Sequence, residues 1–459
     1  MKISDLEGKR VAIWGYGLEG RAALAALRQN LPRQRVTIFC NRAEAEDLEF
    51  MDDPDLDIVA SEPDVEALSA FEVVIKSPGI SPYKTPAVEA RDSGVQFTSG
   101  TALWFGDHPE ALSICVTGTK GKSTTSAMVA HLLRQAGHRT ALAGNIGMPL
   151  LDLNDVDPPP DYWVMELSSY QTRDAVLPDV AAVTNLFPEH LDWHGSEERY
   201  FADKLALVRE AMPERIVLNA ADDRLADLRL PGADVRWYSG VDGWRQKGIE
   251  LWRADQRVMD IGELPFSGEH NIRNLCAALT ILDALELDSV EMAGFARSFR
   301  TLPHRLQSFG SKEGIEYVND SISTTPHASV AAMKAYAHRR VAIIVGGFDR
   351  GLDWSVFEEY VARHPPVAII TQGQNGPKIA RQVGGLARKA AFELREVGEL
   401  EEAVRLGERF LGHGGVVLLS PGAPSFPRYK NYIDRGRHFA SLAGYDPRII
   451  TDIPGLGVA

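Results

Sequence analysis

Val116-Thr117-Gly118-Thr119-Lys120-Gly121-Lys122-Ser123-Thr124 decides how this chain folds. The apolar run Leu112-Ser113-Ile114-Cys115-Val116 leads into it, and the helical pattern Ala127-Met128-Val129-Ala130-His131-Leu132-Leu133 leads out. That order is strand, glycine loop, helix, the local plan of a phosphate-binding loop. Gly118 and Gly121 let backbone N–H groups turn inward around phosphate oxygens. Lys122 reaches the terminal phosphates, and the Ser123 hydroxyl can hold Mg²⁺. An ordinary strand–helix turn leaves the adjacent Lys-Ser-Thr unexplained. The longer form of the loop carries glycine where this chain has Val116. The short Gly-x-x-Gly-Lys-Ser form argues for a nucleoside triphosphate and Mg²⁺ without naming a reaction.

Working outward, strand and helix patterns alternate in both directions. Upstream, Val11–Trp14, Val36–Phe39 and Val73–Ile75 read as buried strands, with a helix over 21–28. Downstream, strands are expected at Tyr162–Met165, Ala181–Thr184 and Arg215–Leu218. The pattern changes at Thr301-Leu302-Pro303-His304, and further strands follow near 315–318, 341–345, 367–371 and 415–419. The economical fold is α/β in three domains: a Rossmann-like unit over 1–107, a central P-loop ATPase unit over 108–303, and a second Rossmann-like unit over 304–459. A length of 459 residues agrees with this, at roughly 150 residues per domain.

Composition narrows the function classes. A net charge of −14 speaks against a general nucleic-acid binder, which shows a basic face. Three cysteines lie far apart, as in a reduced cytosolic protein without disulfides. The N-terminus lacks an apolar signal core, and no apolar run approaches the roughly 18 residues of a membrane span. The expected location is cytoplasmic, with no membrane partner.

Several motifs need weighing. Gly15-Tyr16-Gly17-Leu18-Glu19-Gly20 follows the first strand and matches a dinucleotide fingerprint. The ribose-binding acid expected about 20 residues on is missing; Phe39-Cys40-Asn41-Arg42 stands there. A nicotinamide cofactor is therefore disfavoured, while a phosphate-bearing ligand at the helix start remains open. Glu166 ends a strand, which suits either Mg²⁺ or a helix cap. His190 and His194 are four apart, but the zinc-helix glutamate is absent and Gly195 follows, so a short loop is expected. By itself His194 reads as a surface or packing histidine. Lys204, on a helical pattern, would by itself be solvated.

Taken in order, the segments Ser77-Pro78-Gly79-Ile80, Gly118 to Thr124, Gly144-Asn145-Ile146-Gly147, Glu166-Leu167-Ser168-Ser169, Glu189-His190-Leu191-Asp192, His270-Asn271 with Asn274, Leu302-Pro303-His304-Arg305, Asn319-Asp320-Ser321 and Ser420-Pro421 resemble the Mur ligases of peptidoglycan synthesis, in particular their glutamate-adding branch. The resemblance implies a UDP-sugar site using Gly17, Leu18, Arg42, Gly79 and Asn145. It implies an ATP site using Gly118, Thr119, Lys120, Gly121, Lys122, Ser123, Thr124, Asn271, Asn274, Arg305 and Asp320. Ser123 and Glu166 would hold one Mg²⁺. Lys204 would react with CO₂ to give a carbamate that holds a second Mg²⁺ with His190. Catalysis would fall to Lys122, His190 and Lys204, joining glutamate to UDP-N-acetylmuramoyl-L-alanine through an acyl phosphate.

The glutamate pocket departs from the usual D-glutamate pattern. Ile322-Ser323-Thr324 stands where that pattern has Lys-Ala-Thr, Arg350 falls where a lysine is usual, and the last loop reads Pro421-Gly422-Ala423-Pro424-Ser425-Phe426. These changes point to a branch that adds L-glutamate, with Thr324, Arg350, Ser425 and Phe426 contacting it and a partner epimerase inverting the product. The alternatives are an ordinary D-glutamate ligase with a drifted pocket, a folylpolyglutamate-synthase type, which lacks the first domain, an ATP-driven motor or regulatory ATPase, and the disfavoured dehydrogenase. The tail Asp452 to Ala459 has no account in the sequence.

Overall fold

The computed structural model describes residues 1–48, 51–266, 268–390, 392–448 and 453–459. These form two compact units. One is Met1–Pro265 with His270–Phe299 and Gly455–Ala459; the other is Phe266–Glu269 with Arg300–Pro454. The first unit thus carries the first two of the three expected sheet systems.

Its first sheet contains β1 (Val11–Trp14), β2 (Val36–Phe39), β3 (Leu56–Val59), β4 (Val73–Lys76) and β5 (Gln96–Thr98). All pair parallel in the order β3-β2-β1-β4-β5. The order in which strands are added reverses between β1 and β4, the place where open α/β sheets leave a crevice outside the strand ends. Short continuous apolar strands such as Val-Ala-Ile-Trp suit burial on both faces. The following helix runs Leu18–Asn30, three residues earlier than its apolar pattern. It starts on Gly17, and Gly20 packs so tightly that a Cβ would lie 2.1 Å from the Gly15 carbonyl oxygen.

The second sheet contains β6 (Ser113–Thr117), β7 (Thr140–Gly144), β8 (Tyr162–Glu166), β9 (Val180–Val183), β10 (Arg215–Asn219) and β11 (Asp234–Tyr238). A small antiparallel sheet follows: β12 (Trp244–Lys247), β13 (Glu250–Arg253) and β14 (Gln256–Asp260). The second unit contains β15 (Gln307–Lys312), β16 (Ile315–Asn319), β17 (Val341–Val345), β18 (Ala368–Gln372), β19 (Glu393–Val397) and β20 (Gly415–Leu419), ordered β15-β16-β20-β17-β18-β19. Only β15 in that sheet is antiparallel.

The tail finds its account here, though Asp452 lies outside the described residues. β21 (Gly457–Val458) adds antiparallel to β7, giving the order β11-β10-β9-β6-β8-β7-β21. Thr140 donates its amide to the Ala459 carbonyl at 2.8 Å. Arg134 donates to the Gly455, Gly457 and Thr140 carbonyls. The added strand covers an edge that would otherwise expose unpaired backbone groups.

Candidate active site

The phosphate loop joins β6 to the helix Lys122–Gln135, which begins earlier than its apolar pattern. Gly118 has φ 141° and Gly121 φ 87°, a region that favours glycine. The loop is held by the segment after β9. Asn185 accepts from the Thr119 amide at 2.9 Å and, through its side chain, from the Lys120 amide at 2.8 Å. Thr184 Oγ1 donates to the Lys120 carbonyl at 2.7 Å. Thr119 Oγ1 meets the Tyr200 hydroxyl at 2.8 Å. Lys122 Nζ donates to the Thr119 carbonyl at 3.0 Å. The helix Glu269–Ala284 supplies Asn271 and Asn274, both buried; a Cβ on Gly121 would lie 2.4 Å from Asn274 Oδ1.

Lys204 is not the solvated lysine its helical pattern alone suggests. It is 2% exposed, and its Nζ donates to the Gly118 carbonyl at 2.9 Å. Burial holds its pKa well below the usual lysine value and Lys122 adds to that, against the fields of Glu189 and Glu166. Glu166, also buried, accepts from Asn145 Nδ2 at 3.2 Å on one oxygen; its Oε2 has no hydrogen-bond partner among the described residues. His190 has φ 54° and opens the helical turn Leu191–His194. Burial lowers its pKa; Glu189 opposes this, and Lys122, Lys204 and Lys120 reinforce it. Lys120 and Glu189 form an ion pair.

Does this set fit Mg²⁺? An unpartnered buried carboxylate oxygen beside a phosphate loop suits a hard cation that keeps oxygen ligands. Among the described residues no group of three or more His, Cys, Asp or Glu could hold a metal. A cation here would therefore take Ser123, Glu166 and phosphate oxygens, as a substrate-borne Mg²⁺ does.

His194 is neither surface nor zinc ligand. It is fully buried, with Nδ1 2.6 Å from Asp203 Oδ2 and Nε2 3.0 Å from Ser169 Oγ. Asp203 also receives Arg173 Nε at 2.7 Å and the Tyr83 hydroxyl. This network anchors the helix Glu197–Arg209 beside Lys204. The sequence alone gave no sign of it, because its members come from four separated segments.

Comparison with known proteins places this arrangement. Residues 116–282 match the Mur ligase middle domain. The chain is 55% identical over 468 residues, all of both chains, to a UDP-N-acetylmuramoyl-L-alanine--L-glutamate ligase of Xanthomonas campestris pv. campestris. This chain belongs to the Mur ligase family. A protein of the same name from Micromonospora sp. is 39% identical over 96% of this chain and 97% of its own length. Among solved structures, MurF from Acinetobacter baumannii aligns with a TM-score of 0.61 at 18% identity, covering 95% of this chain and 89% of that one. MurC from Thermotoga maritima aligns at 0.59 and 18%, covering 95% and 99%. At that identity the likeness concerns fold, and it agrees with the expected α/β class.

The other expected site residues of this Mur ligase fall into two groups. Gly17 and Gly79 lie on the loops after β1 and β4, which touch where Ser77 Oγ donates to the Gly15 carbonyl at 3.1 Å, and Leu18 is the first residue of the helix that follows Gly17. Leu18 is 66% exposed. Arg42 is exposed and starts the helix Arg42–Leu48. Asn145 follows β7.

In the second unit, Arg305 and Asp320 come together: the Leu306 amide donates to Asp320 Oδ1 at 3.2 Å, and Arg305 lies within the field of Asp320. Ser425 and Phe426 line a cavity of about 490 Å³ with Gly346, Gly347 and Phe348. Thr324 and Arg350 are not in its lining, and Arg350 is exposed. Arg435, which the sequence reading passed over, is in it.

Proposed function

We propose that this Mur ligase adds L-glutamate to UDP-N-acetylmuramoyl-L-alanine with ATP, giving ADP and phosphate. The carrying observation is Lys204, whose buried amine sits under the phosphate loop near Glu166, whose Oε2 lacks a partner. The reading assigns UDP-sugar binding to 1–107, ATP binding to 108–303 and glutamate binding to 304–459. Support for L-glutamate comes from the names of relatives that align over the whole chain.

In this reading the substrate carboxylate attacks the γ-phosphorus, ADP departs, and an acyl phosphate forms. The glutamate amine then attacks the acyl carbon, phosphate leaves with the C–O bonding pair, and the nitrogen releases a proton to give the neutral amide. Activation is required because a free carboxylate is a poor electrophile. Lys122 neutralises the β- and γ-phosphates while loop N–H groups orient them. Ser123 and Glu166 would hold one Mg²⁺, with His190 and a carbamylated Lys204 holding another. Bound Mg²⁺ supplies positive charge to the phosphate oxygens.

The Lys204 environment suits carbamate formation. A depressed pKa leaves Nζ with a lone pair that attacks CO₂, and one proton leaves. The carbamate keeps one N–H, enough to retain the bond to the Gly118 carbonyl. No described helix is long and apolar enough to cross a membrane. The reading takes the activity as cytoplasmic wall-precursor synthesis, paired with a glutamyl epimerase. The test is phosphate release from ATP with UDP-N-acetylmuramoyl-L-alanine and each glutamate enantiomer. Release with neither enantiomer would overturn the reading.

A further inference from the structure

The cavity outside the carboxyl ends of β17, β18 and β20 is walled by a cation that forms no ion pair with a carboxylate among the described residues. Arg435, on the helix Tyr432–Leu442, is 1% exposed. Its Nε donates to Ser321 Oγ at 3.0 Å, and its Nη2 donates to the Ser321 carbonyl at 2.8 Å and the Ala423 carbonyl at 3.0 Å. A guanidinium has five N–H groups. These bonds fix its plane and leave the Nη1 pair without a protein partner among the described residues. Nη1 lies 3.2 Å from where a Cβ on Gly347 would stand, and both Gly347 and Arg435 line the cavity.

Nothing nearby spends this charge. Asp320, whose field reaches Arg435, accepts from Ser323, Ser420 and the Leu306 amide. Arg428, the other guanidinium in the lining, pairs with Glu399. Burial lowers the Arg435 pKa to about 10, so it stays charged at neutral pH. A buried, unpaired cation is costly unless an anion arrives to pair with it. A planar fork with a free edge is matched by a carboxylate.

Depth then decides which carboxylate. Phe426, 41% exposed, marks the mouth, where its ring lies 4.5 Å from Phe348; Ser425 is 8% exposed. The reacting amine must face out of the cavity, and the α-carboxylate shares its carbon. Only the side-chain carboxylate reaches the buried wall. Resting on the proposed glutamate-ligase activity, we infer that Arg435 Nη1 and the Ser425 hydroxyl receive the side-chain carboxylate of the incoming amino acid. This makes Arg435 a specificity residue for the distal carboxylate, one the sequence pattern does not single out.

The test compares kcat/KM for L-glutamate and L-glutamine in the full-length protein and in Arg435→Gln and Arg435→Lys. L-Glutamine keeps the amine and α-carboxylate and changes only the distal group. Wild type should favour L-glutamate by on the order of a hundredfold. Arg435→Gln should lower kcat/KM for L-glutamate by on the order of tenfold to a hundredfold, mainly through KM. It should leave L-glutamine and the KM for ATP nearly unchanged, so the preference collapses, while Arg435→Lys keeps part of it. Equal loss for both amino acids, with the preference intact, would reduce Arg435 to a brace for Ser321 and Ala423 and overturn the inference. Should Arg435→Gln not fold, wild type still decides: comparable use of L-glutamine and L-glutamate overturns it. Wild type that releases phosphate with neither amino acid fails at the ligase reading itself, a distinguishable result.

Discussion

Gly118 packs against Thr184 so closely that a Cβ on the glycine would lie 1.9 Å from Thr184 Oγ1. The hydroxyl cannot retreat without releasing the Lys120 carbonyl it holds at 2.7 Å. Gly118→Ala should therefore cost about 1–3 kcal/mol of stability and abolish nucleotide binding as the loop shifts. Thermal melting with and without ATP checks both effects. A melting point within error of wild type, with ATP protection retained, would contradict the packing argument.

Lys122→Ala separates chemistry from folding at the same loop. The side chain is only partly buried. Stability should change by less than about 1 kcal/mol, while acyl-phosphate formation drops by on the order of 10²–10³-fold. Near-normal turnover would remove Lys122 from the phosphate site.

Lys204→Ala should be inactive and partly rescued by short carboxylic acids that restore an anion in the same space. Wild type should in turn respond to bicarbonate in a CO₂-depleted assay. Inactivity without rescue, together with indifference to bicarbonate, would rule out the carbamate.

Asp203 gives a pH prediction. Burial alone would raise its pKa, but bonds from His194, Tyr83 and Arg173 outweigh this and hold it below the usual aspartate value. A depressed folded pKa contributes stability above the unfolded value, near 3.9, and that contribution is lost as pH falls through the folded value. Asp203→Asn should cost about 1–3 kcal/mol at neutral pH by taking the charged partner from the buried His194. Its denaturation midpoint should also fall less steeply than wild type below about pH 4. Parallel acid slopes would show that Asp203 does not carry this linkage.

What the sequence disclosed follows from locality. Parallel strands buried on both faces are short apolar runs, so β1, β2, β17 and β20 appear where the text places them; β6, β9 and β18 shift by one residue. The glycine loop is legible because backbone conformation there demands particular residues. By contrast β12 to β14 are half-exposed antiparallel strands with weak alternation, and β19 is largely exposed. Arg435, Asp203 and β21 stayed hidden because each is defined by partners about 100 residues or more away in some of its contacts.

The tail allows a test by hydrogen exchange. The Thr140 amide bonds to Ala459, and Arg134 holds Gly455 and Gly457. Removing residues 455–459 should speed exchange at Thr140 and lower the first unit's stability by about 1–3 kcal/mol, the scale of a few net hydrogen bonds. Unchanged exchange at Thr140 would mean that β21 is not formed in solution.

The last prediction concerns stereochemistry. Both glutamate enantiomers carry the same amine and two carboxylates, so preference arises from where those groups are anchored together. With the side-chain carboxylate fixed at Arg435 and Ser425, inverting the α-carbon exchanges the positions of the α-carboxylate and hydrogen relative to the amine. One enantiomer then loses a charge-assisted contact of about 1.5–3 kcal/mol, a preference on the order of tenfold to a hundredfold. Relatives named as L-glutamate ligases align over the full chain, which sets the direction. Competition of the two enantiomers in one reaction, with chiral analysis of the hydrolysed product, should show mostly L-glutamate. Predominant D-glutamate would mean that the pocket keeps the ordinary geometry of the family despite Ile322 and Arg350, and that no epimerase is required after this step.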